Sequence, residues 1–377
     1  MLRNIVIKNG HVIDPANHVD AIDTIYISGD RIVAAKDFTK ADIEFDAKGK
    51  YIFPGLIDFH AHVFDKSTEI GINPDIAMLC QGVTAVVDAG SAGVSNIQTF
   101  VDTIVHHSMT TVQAYLELCP AGQPTMQYHE NFDPKYWDLK QISYYLDKYA
   151  DILLGLKIRM SQPILGELGF QAFEKAVAVA RQLHTHICVH TTNPAGSMEQ
   201  VADVLEKGDI LAHCFHGTGD SILGPDGTVK QAVLEAQKRG VIMDAANGGN
   251  HWRFSVAVPA MEQGFYPNII STDLTVKTLF KDPVFGLPYI MSKYLSLGME
   301  LPDIVRACTA TPAALLAGSE RLGTLSAGAQ ADIAVFDLID KEVPFSDTAR
   351  EIRWGHQLLV PLLTLCKGQL VYRNMMY

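Results

Sequence analysis

Short apolar runs alternate with amphipathic stretches through the middle of this chain. The runs are rich in β-branched residues, which favours strands, and the stretches between them are long enough for helices. In residues 169–183, apolar side chains recur with a helical period. The candidate strands are 56–62, 85–88, 112–117, 153–159, 186–191, 210–214, 241–245 and 269–273. Eight strand–helix units over about 250 residues predict a (β/α)8 barrel of the α/β class, whose active site lies at the carboxyl ends of its strands.

The two ends of the chain show a different pattern, of short strands separated by turns. Before residue 54 the candidate strands are 4–8, 24–28 and 31–34, with turns at Asn9-Gly10 and Gly29-Asp30. After residue 321, residues 331–336 and 369–372 are again strand-like. We therefore predict a small β-sandwich domain formed by residues 1–53 and 322–377, beside a catalytic barrel of residues 54–321.

Several polar residues fall at the carboxyl ends of the candidate barrel strands. His60 and His62 are two residues apart, so a strand points both imidazoles to the same side, as a metal with nitrogen ligands requires. This pair alone is weak evidence, because the chain has 14 histidines. The full set of strand-end candidates is His60, His62, Lys157, His190, His213 and Asp273. For two of them a simpler interpretation exists, since Lys157 could extend to the barrel rim and Asp273 could cap the last barrel helix.

On these residues the chain resembles the amidohydrolase superfamily over nearly its whole length. It is most similar to the binuclear metal subgroup, which contains dihydroorotases, hydantoinases and related deacetylases, some of them named dihydroorotase or adenine deaminase. Residues 323–332 also resemble the G-x-I-x-x-G-x-x-A-D return strand of that family. The resemblance implies two divalent metal ions, with Zn²⁺ favoured. It places His60, His62 and Asp273 on the first ion, His190 and His213 on the second, and Lys157, carboxylated by CO₂, as the bridge.

The chemistry of such a site explains why a lysine is suitable there. An amine buried beside two cations favours its neutral form, which can add CO₂ to give a carbamate with two anionic oxygens. Two metals that share a water lower its pKa, so a bridging hydroxide can attack a trigonal carbon while Asp273 acts as general acid and base. We expect a metal-dependent hydrolase that cleaves an amide or ester bond, such as an acetyl group, in a small molecule.

Two departures from the family pattern narrow the activity, and three alternatives stay open. Dihydroorotases typically carry an arginine two residues after the second histidine, where this chain has Phe64. Mononuclear deaminases generally carry a glutamate three residues after the strand-five histidine, where this chain has Asn193. The alternatives are a cyclic amide hydrolase of dihydroorotase or hydantoinase type, a binuclear adenine deaminase, and a non-catalytic dihydroorotase-like scaffold subunit.

Substrate contacts are predicted from positions near the strand ends. Arg159 follows Lys157 by two residues, so it faces the same side and could pair with a substrate carboxylate or form a rim salt bridge. The loop after strand two, which contains Gly90 and Ser91, could present backbone N–H groups, although a tight turn explains it equally well. His216 and His251 could line the mouth of the barrel, where histidines are more often solvated.

Composition agrees with this interpretation. A formal net charge of −12 argues against a nucleic-acid partner and against binding to membrane surfaces. The start of the chain lacks an apolar signal segment, and we expect a cytoplasmic protein that acts on a small, possibly carboxylate-bearing substrate and that can form a homo-oligomer. The six cysteines show no C-x-x-C spacing and are expected to be reduced.

Overall fold

The computed structural model describes residues 3–318 and 321–377. The strands are β1 Asn4–Asp14, β2 Val19–Ser28, β3 Arg31–Val33, β4 Ile43–Asp46, β5 Tyr51–Pro54, β6 Leu56–Ala61, β7 Val83–Asp88, β8 Thr111–Glu117, β9 Leu153–Arg159, β10 His186–His190, β11 Ile210–Ala212, β12 Ile242–Asp244, β13 Ile333–Ser346, β14 Ile352–Cys366 and β15 Gln369–Arg373. The α-helices are α1 Pro74–Met78, α2 Ile97–Thr103, α3 Leu139–Lys148, α4 Gln162–Leu165, α5 Gly169–Gln182, α6 Met198–Val204, α7 Gln231–Arg239, α8 Phe254–Glu262, α9 Leu287–Ser296, α10 Leu301–Cys308 and α11 Ala310–Ala313.

The parallel strands β6 to β12 pair in sequential order and form the wall of a barrel. Residues 269–274 close it, because they bridge to β12 on one side and to β6 on the other. The backbone N–H of Ala245 donates to Ile269 at 3.0 Å, and that of Asp273 donates to His60 at 2.7 Å. The predicted (β/α)8 barrel is therefore confirmed, with an irregular eighth strand that holds its place by isolated bridges.

Burial explains why these segments form strands of a parallel sheet. Every residue of β6 and of β7 is buried, as expected where side chains on both faces of a sheet are covered. Inward-facing side chains such as Ile57, Phe59 and Tyr115 fill the interior of the barrel. On the outside, α5 packs its apolar stripe against β9 and β10, which confirms the helix predicted for residues 169–183.

Strands from both ends of the chain join one mostly antiparallel sheet beside the barrel. Its order is β15-β14-β13-β5-β1-β2-β3, with β4 paired to β1. This sheet has its own hydrophobic cluster, to which Ile5 and Ile27 contribute from one end of the chain and Val335 and Leu365 from the other. The prediction that the two termini build one β unit is confirmed.

The turn predicted at Asn9-Gly10 is wrong. Strand β1 continues through both residues, and its register with β2 shifts between Ile7 and Gly10. Asn9 has φ +62°, so it provides the left-handed residue of a bulge, and the chain reverses only between Asp14 and Val19. A turn-forming dipeptide was thus overridden because β1 pairs with three other strands.

The structure also bears on membrane segments and cysteines. Among the described residues, no helix combines the length and the apolar character needed to cross a membrane. All six cysteines have free thiols, and all but Cys80 are buried.

Candidate metal centre

The six predicted strand-end residues converge at the carboxyl end of the barrel, where all six are buried. His60 and His62 lie at the end of β6, and Asp273 lies on the closing segment beside it. The Nε2 atoms of His60 and His62 lie 3.8 Å and 3.4 Å from Oδ1 of Asp273. These three side chains therefore form one group that can bind a metal ion.

A second group forms next to the first. His190 ends β10, His213 follows β11, and His251 joins them from the loop after β12, so that their ligand atoms all lie within 4.8 Å of one another. Nε2 of His251 is also 3.6 Å from Oδ2 of Asp273, which connects the two groups. Nε2 of His213 is buried without a hydrogen-bond partner in the described structure. A metal ion would satisfy this nitrogen, so the residues present fit the implied ion.

Lys157 lies on β9, beside the histidine groups. Its side chain is buried, so the alternative in which it extends to the barrel rim is wrong. Within the described residues, Nζ makes one hydrogen bond, to Sγ of Cys188 at 3.4 Å, and sulfur is a weak acceptor. Lys157 thus places an amine among metal-binding groups without a strong partner of its own.

Hydrogen bonds to Nδ1 orient most of the imidazoles. Nδ1 of His60 lies 3.0 Å from Asp244 and that of His62 lies 2.9 Å from Ser91. Nδ1 of His213 donates to the carbonyl of Ala246 at 2.7 Å. Since one ring nitrogen is used in this way, the other is directed toward the centre of the site, as is usual for metal-bound histidine.

The electrostatic environment favours the neutral form of these histidines. Burial, together with the repulsion of neighbouring histidines and Lys157, lowers the pKa of His60, His190 and His213 well below the usual value. The pKa of His251 falls to about 4, chiefly through burial. A neutral imidazole is the form that binds metal, so the unloaded site is already in its binding form near neutral pH.

Backbone geometry marks two of the proposed ligands. His213 has φ +64° and Asp273 has φ +52°, values that non-glycine residues adopt at a cost and that cluster at functional sites. The helix-cap alternative for Asp273 is wrong, because no described helix begins at residue 274 and the next, α9, begins at Leu287. The unusual backbone turns the Asp273 carboxylate toward His60, His62 and His251.

The sequence interpretation missed two acids that support the site. Asp58 accepts hydrogen bonds from the backbone N–H and the hydroxyl of Thr272, and so ties the closing segment to β6. Asp244 contacts His60 and accepts a hydrogen bond from the Ser271 hydroxyl at 2.5 Å. Burial raises the pKa of each acid to about 7. The signal available in the sequence was a carboxylate inside an apolar strand, at Ile57-Asp58-Phe59 and Met243-Asp244-Ala245.

A cavity of about 190 Å³ opens above the two groups. Arg159 and His251 both line it, as the sequence interpretation expected. Nη1 of Arg159 donates to Glu130 at 2.5 Å, so the expected rim salt bridge is present as well.

The other three predicted substrate contacts are not part of this cavity wall. Gly90 packs against Glu117 and Lys157, and Ser91 is buried and bonds to His62. His216 is fully buried, with neither ring nitrogen hydrogen-bonded in the described structure. Ser91 and His216 are fully buried and Gly90 faces Glu117 and Lys157, so packing inside the protein keeps all three residues out of the cavity wall.

Fold and site together define a (β/α)8 barrel with two adjacent, buried groups of side chains that can bind metal ions. No protein-family model matches the chain. A deacetylase from Brucella anthropi is 32% identical over 353 residues, 91% of this chain and 86% of the relative. A deacetylase from Agrobacterium fabrum is 32% identical over 346 residues, 89% of this chain and 84% of the relative.

Solved structures agree with these relatives. The crystal structure of an adenine deaminase is similar to this chain with a TM-score of 0.89 and 27% identity, over 99% of this chain and 100% of the deaminase chain. The crystal structure of a dihydroorotase also gives a TM-score of 0.89, with 29% identity, over 99% of this chain and 98% of the dihydroorotase chain. A D-hydantoinase at 17% identity, with a TM-score of 0.69 over 98% of this chain and 95% of its own, shares the fold. The chain belongs to the amidohydrolase superfamily, in its dihydroorotase- and hydantoinase-like branch. It is a metal-dependent hydrolase of a small molecule, and its neighbours indicate a binuclear metal site.

Proposed function

We propose that this protein is a deacetylase that hydrolyses the amide or ester bond of a small acetylated acid. The observation that carries the proposal is the meeting of two ligand groups at Asp273, at the base of a small cavity, in a chain whose relatives over most of its length are deacetylases. The products would be acetate and the released amine or alcohol.

The proposed ligand assignment follows the two groups. His60, His62 and Asp273 would hold one Zn²⁺, and His190 and His213 the other. Lys157, carboxylated on Nζ, would bridge them with its two carbamate oxygens. Nitrogen and oxygen donors of this kind suit zinc. When bound, the two ions would supply positive charge that acidifies a shared water and polarises the scissile carbonyl.

Asp273 would transfer the proton during hydrolysis. Its carboxylate lies against both ligand groups, with Oδ1 beside His62 and Oδ2 beside His251, so a water between the groups is within its reach. It would accept the proton as the carbonyl carbon is attacked and return it to the departing nitrogen or oxygen. His251 is a further cavity residue, and its contact with Thr192 at 2.8 Å fixes the ring beside Asp273.

The cavity wall supports a carboxylate-bearing substrate. Arg159 and Lys277 both line the cavity and bring positive charge to it. The guanidinium of Arg159 has five N–H donors, and the described structure gives it one hydrogen bond, to Glu130. Further donors can therefore bind a substrate carboxylate in a bidentate manner.

A dihydroorotase is the second candidate, because the crystal structure of a dihydroorotase matches the whole fold. Phe64 argues against it. The side chain is 1% exposed and its ring packs on Phe100 at 5.1 Å, so this position offers neither a cation nor a cavity surface.

The test is metal analysis followed by a substrate screen. Purified protein should contain about two zinc ions per chain. Loaded protein should release acetate from N-acetyl or O-acetyl acids, but should not open dihydroorotate or hydantoins and should not deaminate adenine. Turnover of a cyclic amide alone would replace the proposal with the second candidate. Protein that cannot bind divalent metal would favour the scaffold alternative.

A further inference from the structure

Glu117 is a buried acid next to Lys157 that the proposed chemistry does not use. It is the last residue of β8, and Lys157 on β9 is its register partner, so both side chains point into the barrel at the same level. Glu117 is 1% exposed, and neither carboxyl oxygen has a hydrogen-bond partner in the described part of the chain.

Gly90 is packed against both side chains. A Cβ atom added to Gly90 would lie 2.5 Å from Oε2 of Glu117 and also 2.5 Å from Cγ of Lys157. The carboxyl group therefore lies near Cγ of the lysine and makes no ion pair with its Nζ in the described structure, in a space that a side chain at position 90 would fill. Gly90 also has φ +97°, which favours glycine.

A carboxyl that merely filled this space would be unfavourable. Burying a polar group without a partner lowers stability, and an apolar side chain of equal size would be better. Burial raises the pKa of Glu117 well above the usual value, which reflects the same unfavourable environment. We therefore expect that Glu117 pairs with a hydrogen-bond donor that the unmodified chain does not contain.

Carboxylation of Lys157 creates such a group. The lone pair of the neutral Nζ forms a bond to the carbon of CO₂, one C=O π pair moves to oxygen, and one proton leaves the nitrogen to solvent. The product has two oxygens, which the proposed metals would take, and one remaining N–H. The nearest partner that the structure shows for Nζ is the weak acceptor Sγ of Cys188.

We infer that Glu117 is a positioning residue for the carboxylated Lys157, whose carbamate N–H it accepts as a hydrogen bond. The inference rests on the proposed function, because it requires the carbamate. It assigns the unpartnered carboxyl a task that appears only in the loaded enzyme. The residue does not touch the substrate, so its effect should appear in carbamate formation and metal retention.

The experiment compares Glu117→Met with Glu117→Gln. Methionine keeps the approximate volume but accepts no strong hydrogen bond, whereas glutamine keeps a carbonyl acceptor. Each protein is stripped of metal and CO₂, then reloaded with Zn²⁺ over a range of ¹³C-bicarbonate concentrations. The carbamate is followed by ¹³C NMR and the bound zinc by elemental analysis.

We expect Glu117→Gln to require about the same bicarbonate concentration as the natural chain. Glu117→Met should require about 10–100-fold more, the loss typical of residues that support metal ligands. In the metal-free state, Glu117→Met should melt no lower than the natural chain.

Two results would overturn the inference. One is an unchanged bicarbonate requirement in Glu117→Met. The other is a lower metal-free melting temperature or failure of that variant to fold, because the carboxyl would then stabilise the fold without the carbamate. Absence of any carbamate signal in the natural chain is a separate result, which would refute the bridging role in the proposed function.

Discussion

The region around Lys157 and the region around Lys293 each bury a lysine, but they surround it with different side chains. Lys157 lies beside His60, His190 and Glu117, among groups that can bind metals or that lack partners in the described structure. Lys293, on α9, is fully buried, and its Nζ lies 3.8 Å from the centre of the Trp252 ring. Because both lysines are buried, burial of a lysine does not by itself identify a reactive site. The neighbouring polar groups do.

The two lysines also relate differently to the cavity. Lys157 lines it directly. Lys293 instead packs under Trp252, whose Nε1 donates to Tyr294 at 3.0 Å and which directly follows His251 in the chain. Nζ of Lys293 has no hydrogen-bond partner within the described ranges. We therefore assign chemistry to the first region and support of the loop to the second.

Replacing each lysine by methionine should distinguish the two regions most clearly. Lys157→Met removes the proposed bridge, so we expect kcat/KM to fall about 10³-fold or more, as for loss of a central catalytic group. Bound zinc should also fall, because the remaining ligands lose the shared oxygens. Steady-state kinetics and elemental analysis measure both effects. Full activity in Lys157→Met would show that the two lysines are equivalent packing residues.

Asp273→Asn should separate chemistry from metal binding within the first region. The amide cannot accept the proton, so kcat should fall about 10²–10⁴-fold, the range for general acid–base groups. Zinc content should be largely retained, because four histidines and Lys157 remain. Loss of zinc together with activity would instead restrict Asp273 to a ligand role.

Much of the candidate metal centre could be predicted because it depends on local patterns. His60 and His62 are two residues apart at the end of a buried strand, and the alternation of side chains along a strand predicts that both face one side. His190 ends β10 and Lys157 lies two residues before the end of β9, and the apolar runs of both strands are plain in the sequence. The barrel then brings these ends together, because parallel strands share one carboxyl edge.

The supporting residues could not be predicted in the same way, because their partners are distant in the chain. Asp244 bonds to His60 across 184 residues, and no local period reports such a contact. His251 lies in an irregular loop, so its place beside His213 depends on how Trp252 packs on α9. Glu117 was included in a predicted strand, but its unpartnered state is visible only in the folded barrel.

Lys293→Met tests the second region and should give a smaller effect of opposite sign. Replacing an unpaired buried cation by an apolar side chain should raise the free energy of unfolding by about 1–4 kcal/mol at pH 7. Activity should stay within about twofold, since Lys293 does not line the cavity. Urea unfolding and kinetics supply the two measurements. A destabilised variant would show that the contact with Trp252 outweighs the unfavourable burial of the charge.

The smallest expected effect is the pH dependence of the stability that Lys293→Met gains, and it tests whether the buried Lys293 is neutral. Burial lowers the pKa of Lys293 to about 7 in the folded chain, whereas Asp347 nearby opposes the shift. The unfolded lysine titrates near 10.4, so between pH 7 and pH 10 the unfolded state binds the extra proton and stability of the natural chain rises with pH. The stability gap between Lys293→Met and the natural chain should therefore be widest below pH 7 and should narrow by roughly 1.4 kcal/mol per pH unit above it. Taking the difference between the two proteins cancels the other titrating groups. A gap that does not change between pH 7 and pH 9 would mean that Lys293 keeps its charge when buried and that burial does not lower its pKa.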